Sequence, residues 1–213
     1  LFRILKLKNE NKIKIKNIFA YDVNEHLINL YNQIKFYYES FFESFNNFVS
    51  EYTNSTDKEN CYYKNRELFN NSEANSIQKA VLFLFLNKTC FRGLYREGPN
   101  GFNVPFGHYK TLNFITKDEL ENISKTIQDV TFIYCDFSKV FPKLKRNDFI
   151  YLDPPYAPES NTSFVNYTKS GFSYERHKEL FELIISIHKK GIKFVLSNAK
   201  VKLVTDTFKE FNI

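Results

Sequence analysis

All 6 glycines of this 213-residue chain lie at Gly93 or later, so the first 92 residues contain none. Turns that cradle a phosphate or a nucleotide need backbone free of a Cβ. The first half therefore cannot hold a glycine-rich nucleotide loop. Four of the six fall within Cys90-Phe91-Arg92-Gly93-Leu94-Tyr95-Arg96-Glu97-Gly98-Pro99-Asn100-Gly101-Phe102-Asn103-Val104-Pro105-Phe106-Gly107. The Pro-Asn-Gly at its middle predicts a hairpin-like loop.

Around that segment the apolar pattern predicts helices alternating with strands. Residues 18–22 read as a strand ending in an acid, Asp22. Asn24 caps a helix whose Leu27, Ile28, Leu30, Tyr31 and Ile34 repeat at helical spacing, prolonged by Phe-rich sequence to Phe48. The polar run 50–60 reads as a linker or exposed loop. Ser76 caps a helix over 76–86, and Thr116 with Glu119 forms a capping box for another. Buried strands are expected at 130–136 and 148–152, and a further strand at 193–196. A helix is expected over 173–190 with Gly191 at its end, and a closing helix over 201–211. Such alternation implies an α/β fold with a parallel sheet, in which ligands gather beyond the strand C-termini. Those ends deliver Asp22, Asp136-Phe137, Asp153-Pro154-Pro155-Tyr156 and Ser197-Asn198.

Hydrophobic residues at 43% and charged residues at 25% give a globular balance rather than a disordered one. The three cysteines (Cys61, Cys90, Cys135) have no metal-ligand spacing and suit a reducing compartment. No metal site is expected. No run approaches the ~20 apolar residues of a membrane span, and no secretory leader is expected. A net charge of +6 fits a polyanionic partner.

Asp153-Pro154-Pro155-Tyr156 carries the chemistry. Two prolines after a strand end the ladder, because neither offers an N–H. Asp153 supplies a carboxylate at the strand tip and Tyr156 a flat aromatic face. Methylating an aromatic amine needs these parts, since the nitrogen lone pair is delocalised into the ring. Hydrogen bonds from the amine to Asp153 and to the Pro154 carbonyl would localise that pair, with positioning and electrostatics supplying the catalysis. Tyr156 would stack on a base drawn out of the duplex. A plain strand-end turn with a surface Tyr is the alternative.

With these motifs in view, the chain resembles the Dam-type (alpha-class, D12-like) adenine-specific DNA methyltransferases, from Phe19 to Asn198. Tyr151-Leu152-Asp153-Pro154-Pro155-Tyr156 and the stretch 87–109, above all Phe102-Asn103-Val104-Pro105-Phe106-Gly107, carry the likeness. It implies transfer of a methyl group from S-adenosylmethionine to the N6 amine of adenine in duplex DNA, on a Rossmann-like α/β sheet with a helical, loop-rich target-recognition insertion. On this reading 1–49 and 117–213 form the methyltransferase core and 50–116 the insertion. Asp153, Pro154, Pro155 and Tyr156 would be catalytic. Asp22 would hold the cofactor ribose, Asp136 and Phe137 would line its adenine, and Phe172 with Asp153 would help to build the pocket. Asp22 as a simple cap, and Asp136-Phe137 as a turn with a core Phe, remain open. His177 matches the same helix start but reads as packing or surface, since the chemistry needs no imidazole base. Arg92, Arg96, Asn103, Pro105 and Gly107 would meet DNA, and Ser197 and Asn198 would border the target base.

The family also carries an early Lys and a Phe-x-Gly-x-Gly turn, and this sequence has neither. It starts at Leu1-Phe2-Arg3-Ile4-Leu5 and contains no Met, so truncation at the N-terminus is expected, with the catalytic turn present and the cofactor site incomplete. A non-catalytic DNA-binding remnant and an RNA or protein amine methyltransferase are the alternatives. A cytoplasmic, DNA-associated monomer, within a restriction–modification pair or otherwise, completes the expectation.

Overall fold

A computed structural model describes residues 1–159 and 172–212 as two compact units that divide between Tyr134 and Cys135. The first contains α1 (Phe2–Asn9), β1 (Ile18–Asp22), α2 (Glu25–Asn54), α3 (Lys58–Asn71), α4 (Ile77–Thr89), β2 (Glu97–Gly98), β3 (Gly101–Phe102), α5 (Lys117–Thr126) and β4 (Val130–Tyr134). The second contains α6 (Phe137–Val140), β5 (Phe149–Leu152), α7 (Tyr174–Lys189), β6 (Lys193–Leu196) and α8 (Lys202–Thr207). The fold is mixed α/β with small parallel sheets.

In the first unit β1 pairs with β4 in parallel, from Ile18 opposite Val130 to Asp22 opposite Tyr134. Helix α2 packs against α4 and α5, and α3 lies on α4. Their shared core is strongly aromatic: Phe41, Phe45, Tyr62, Phe69 and Phe85 are all essentially inaccessible. Edge-to-face contacts run through it, such as Tyr52 on Phe85 at 5.5 Å and Phe69 on Phe102 at 5.9 Å. Each such pair contributes ~0.5–1.5 kcal/mol beyond simple burial. This core is continuous from Leu5 to Phe132 and draws on residues either side of 49 and of 116.

The local start signals act where the sequence puts them. Asn24 accepts from the His26 and Leu27 N–H groups, Ser76 from Lys79, and Thr116 closes a full capping box with Glu119. Each cap stabilises its helix by ~0.5–2 kcal/mol.

The run 50–60 is not a linker. Helix α2 continues to Asn54, and Asp57 caps α3 by accepting from Asn60, so only residues 55–57 connect the two. Polar residues there occupy the outer faces of helices whose inner positions are Tyr52 and Cys61. Helix α2 also breaks stride at Tyr37 (φ −141°, ψ 37°). Beside the break, the Lys35 carbonyl accepts from Gln128 Nε2 at 3.0 Å, and such side-chain intrusion kinks a helix.

In the second unit β5 and β6 pair in parallel, Phe149 opposite Lys193 through Leu152 opposite Leu196. Helix α7 covers one face through Leu180, Phe181, Ile184 and Ile187. Its end is punctuated by Gly191 at φ +78°, as the sequence predicts. The expected strand bounds shorten to 130–134 and 149–152, and the closing helix to 202–207. Nor are those strands buried throughout. Phe149, Tyr151 and Tyr134 are more than half exposed, because helices cover the alternate side chains only. Among the described residues, no helix is long and apolar enough to cross a membrane.

Candidate functional site

In the second unit the chemistry gathers beyond the C-terminal ends of β5 and β6. The ladder continues one step past the strands, with Ser197 N–H donating to the Leu152 carbonyl at 2.9 Å. Asp153-Pro154-Pro155-Tyr156 then leaves β5, and Ser197-Asn198 leaves β6 beside it. Having no N–H groups, the two prolines cannot be held by a ladder, and neighbouring side chains fasten the turn instead. The Tyr156 hydroxyl and Ser197 Oγ lie 2.9 Å apart. The Ala157 N–H donates to Asn198 Oδ1 at 2.8 Å, and the Ala199 N–H shares the same oxygen at 2.9 Å. His177 Nε2 lies 2.9 Å from the Pro155 carbonyl. So fastened, the turn exposes Asp153, and Tyr156 keeps 51% of its surface open.

Asp136 caps α6, its Oδ1 accepting from the Ser138 N–H at 2.9 Å and from the Ser138 hydroxyl at 2.6 Å. Its Oδ2 pairs with Arg176 at 2.6 Å, and the same guanidinium lies over the Phe137 ring at 4.2 Å. Burial pushes the Asp136 carboxyl up, but the Ser138 and Arg176 hydrogen bonds together outweigh it and leave it below the usual aspartate range. Phe137 and Phe172 stand 5.8 Å apart, ring to ring.

In the first unit Asp22 ends β1 and accepts the Asn24 N–H at 2.7 Å. Burial raises its carboxyl, against the lowering effect of the Asn24 and Val23 N–H groups.

The expected hairpin is present. Strands β2 and β3 are antiparallel, joined through Pro99-Asn100, with Gly101 at φ +90°. Beyond it Phe102, Val104 and Phe106 point into the core while Asn103 and Pro105 point out. The hairpin is tied to α3 by side chains. Asn70 accepts the Phe102 N–H at 2.9 Å and donates to the Phe102 carbonyl at 3.1 Å, as a paired strand would. Tyr62 and Arg66 both donate to the Val104 carbonyl, at 2.7 and 3.2 Å. On the inner side His26 Nε2 lies 3.5 Å from Glu97, and the ring of the partly buried Tyr95 meets His26 edge-on at 6.3 Å. Buried Lys79 donates to the Phe69 carbonyl.

Arg92 and Arg96 are exposed, and Arg92 sits at φ +55°, a left-handed conformation uncommon for such a side chain. Arg96 Nε donates to Asn103 Oδ1 at 2.7 Å. Gly107 is needed sterically, since a Cβ there would lie 2.7 and 2.8 Å from the Cys90 and Thr89 carbonyl oxygens.

A sequence model of the D12 class N6 adenine-specific DNA methyltransferases matches residues 4–213 of this chain. The chain belongs to that family. It is similar to the type II methyltransferase M.MjaIII of Methanocaldococcus jannaschii, 34% identical over 95% of this chain and 72% of the relative. The DNA adenine methylase of Haemophilus influenzae is 36% identical over 88% of the chain and 65% of its own length. The type II methyltransferase M1.LlaDCHI of Lactococcus lactis subsp. cremoris is 34% identical over 90% and 68%. The chain thus spans roughly two thirds of the length of these curated relatives. By family it is an adenine-specific DNA methyltransferase, and the family reaction uses S-adenosylmethionine.

Asp153-Pro154-Pro155-Tyr156 and the Ser197-Asn198 pair are brought together in the second unit, whereas Asp22 and the β2–β3 hairpin belong to the first. Two residues carry more than the sequence assigned them. His177 is fully buried against the motif, and Arg176 fastens Asp136. His177 stands three and four residues before Leu180 and Phe181, on the stripe that α7 buries, and that helical spacing is the local signal that it faces inward.

Proposed function

We propose that this protein transfers a methyl group from S-adenosylmethionine to the N6 amine of adenine within a specific site of double-stranded DNA. The observation that carries the reading is Asp153-Pro154-Pro155-Tyr156, exposed at the end of β5 with its tyrosine hydroxyl fastened to Ser197. The target amine donates one hydrogen bond to Asp153 and one to the Pro154 carbonyl, drawing the nitrogen lone pair out of the ring. Tyr156 offers a stacking face to the extruded adenine, and the Ser197 tether limits how far that ring can swing.

The cofactor supplies an electrophilic methyl on a sulfonium centre. Each unit, taken by itself, carries residues of a kind that suits part of an adenosine moiety. Asp22 is a strand-end acid of the kind that accepts from ribose hydroxyls, and the Phe137–Phe172 pair offers an aromatic surface to adenine. Asp136 is less free than the sequence suggests. Its Oδ1 is filled by Ser138, and Oδ2 keeps only the lone pair that Arg176 leaves.

Within this reading the sheet is Rossmann-like, 50–116 is the target-recognition insertion, and 1–49 with 117–213 form the core. The exposed Arg92, Arg96, Asn103 and Pro105 line the DNA-facing side of the hairpin, and Gly107 permits its close return past Thr89. Ser197 and Asn198 border the target base while holding the turn. The enzyme works as a cytoplasmic, DNA-associated monomer.

Methylation-sensitive sequencing of DNA from cells expressing the full-length gene tests the proposal. N6-methyladenine at one recurrent short sequence is expected. DNA left unmodified at every adenine overturns it.

A further inference from the structure

Three side chains hold the catalytic turn, and one of them comes from outside the two strand ends. Ser197 and Asn198 follow β6, whereas His177 reaches over from the first turns of α7. Its ring is fully buried, with Phe172 edge-on at 4.6 Å and Phe181 at 6.1 Å. Nδ1 lies 2.9 Å from the carbonyl of Ser173, and Nε2 lies 2.9 Å from the carbonyl of Pro155. Both neighbours are acceptors only, and a ring with one N–H can serve just one of them. The Ser173 carbonyl already accepts the His177 backbone N–H at 3.1 Å, so the ring proton is assigned to Nε2, where it donates to Pro155.

That placement matters because Pro155 belongs to the motif itself. Its carbonyl opens the peptide that leads into Tyr156, and Pro154 and Pro155 have no N–H with which to fix their own orientation. A rotation of this peptide would move the Tyr156 ring and the preceding Pro154 carbonyl together. Orientation errors of this size are costly when catalysis works by positioning.

We propose that His177 is a positioning residue for methyl transfer, which through the Pro155 carbonyl sets the directions of the Pro154 carbonyl and the Tyr156 ring. The assignment rests on the adenine-methylation reading and adds to it a residue that never touches substrate. His177 does its work with an N–H, not as a base.

The test compares His177→Leu and His177→Gln with the parent, all as the full-length protein. Single-turnover methyl transfer is measured on the duplex that the parent modifies, together with the Kd for DNA and for S-adenosylmethionine and the melting temperature. Gln carries its amide nitrogen at a reach close to that of Nε2, whereas Leu fills space without a donor. His177→Leu is expected to slow transfer by about tenfold to a hundredfold, as befits a part-buried acceptor left unmet, with both Kd values within about threefold. His177→Gln should recover transfer to within about fivefold of the parent. Transfer in His177→Leu at the parental rate overturns the proposal. So does equal slowing in both variants, which would mark the residue as core packing alone. A parent that methylates no adenine overturns the underlying reading instead, so the two failures are told apart.

Discussion

The hydroxyl of Tyr156 meets Oγ of Ser197 at 2.9 Å, joining the Asp153–Tyr156 turn to a residue 41 positions further along the chain. Both groups are reachable from solvent, so the bond acts more on ring position than on stability. Replacing Tyr156 by Phe keeps the stacking face and frees the ring, and Ser197→Ala does the same from the other side. Each should lower the single-turnover rate by about threefold to tenfold, and the double variant by no more than the larger single effect. Losses that multiply in the double variant would show that the two residues act independently.

Asp153 stands apart from these fastenings. Asp153→Ala should abolish methyl transfer while the Kd for DNA stays within about tenfold, a shift of roughly 1.4 kcal/mol. Turnover at the parental rate in this variant would remove the carboxylate from the mechanism.

Arg96 and Asn103 face each other across the hairpin, and neither contact involves an acid. The guanidinium charge therefore stays available to a phosphate. Arg96→Ala should weaken DNA binding and reduce the slope of log K against log salt by about 1. A slope equal to the parent's would place this arginine away from the phosphate backbone.

Burial lowers the proton affinity of His26, with Lys79 adding to the effect and Glu25 and Glu97 opposing it. A base depressed in the fold is protonated more readily when unfolded. Its contribution is fully present above the ordinary histidine value of 6.5 and is lost as the pH falls toward the folded value. Thermal melts taken from about pH 7.5 down to about pH 5.5 should show declining stability, and His26→Gln should flatten that decline. An identical decline in the variant would assign the effect to other groups.

Gly107→Ala should destabilise the protein by about 1–3 kcal/mol, since the added methyl meets two backbone oxygens that cannot retreat like a flexible side chain. Denaturant unfolding measures this directly, and a parental midpoint would show that the loop shifts freely.

Much of this site is local in sequence and could be read there. The double proline after an apolar run announces its own strand end, and Pro99-Asn100-Gly101 announces its own turn. The alternation of Phe102, Val104 and Phe106 with Asn103 and Pro105 likewise needs no partner to be visible. What escaped depends on neighbours distant in the chain. The kink at Tyr37 accompanies the approach of Gln128, and the fastening of Asp136 comes from Arg176, 40 residues on. His177 resembles any helical histidine until α7 is laid against the Pro155 carbonyl. The run 50–60 misleads because polar residues suit an exposed helix face as well as a loop, and only the burial of Tyr52 and Cys61 decides between them.

The hydrogen bonds from Asn70, Tyr62 and Arg66 hold the hairpin by its backbone, at Phe102 and Val104. Main-chain atoms are common to every amino acid, so this grip is indifferent to which side chains the outer surface displays. Substitutions at Arg92, Pro99 or Asn100 leave all of those bonds intact. If the hairpin meets DNA as proposed, the scaffold separates holding the reading head from what the head reads, and a lineage built on it could drift toward a new DNA sequence without first surrendering its fold.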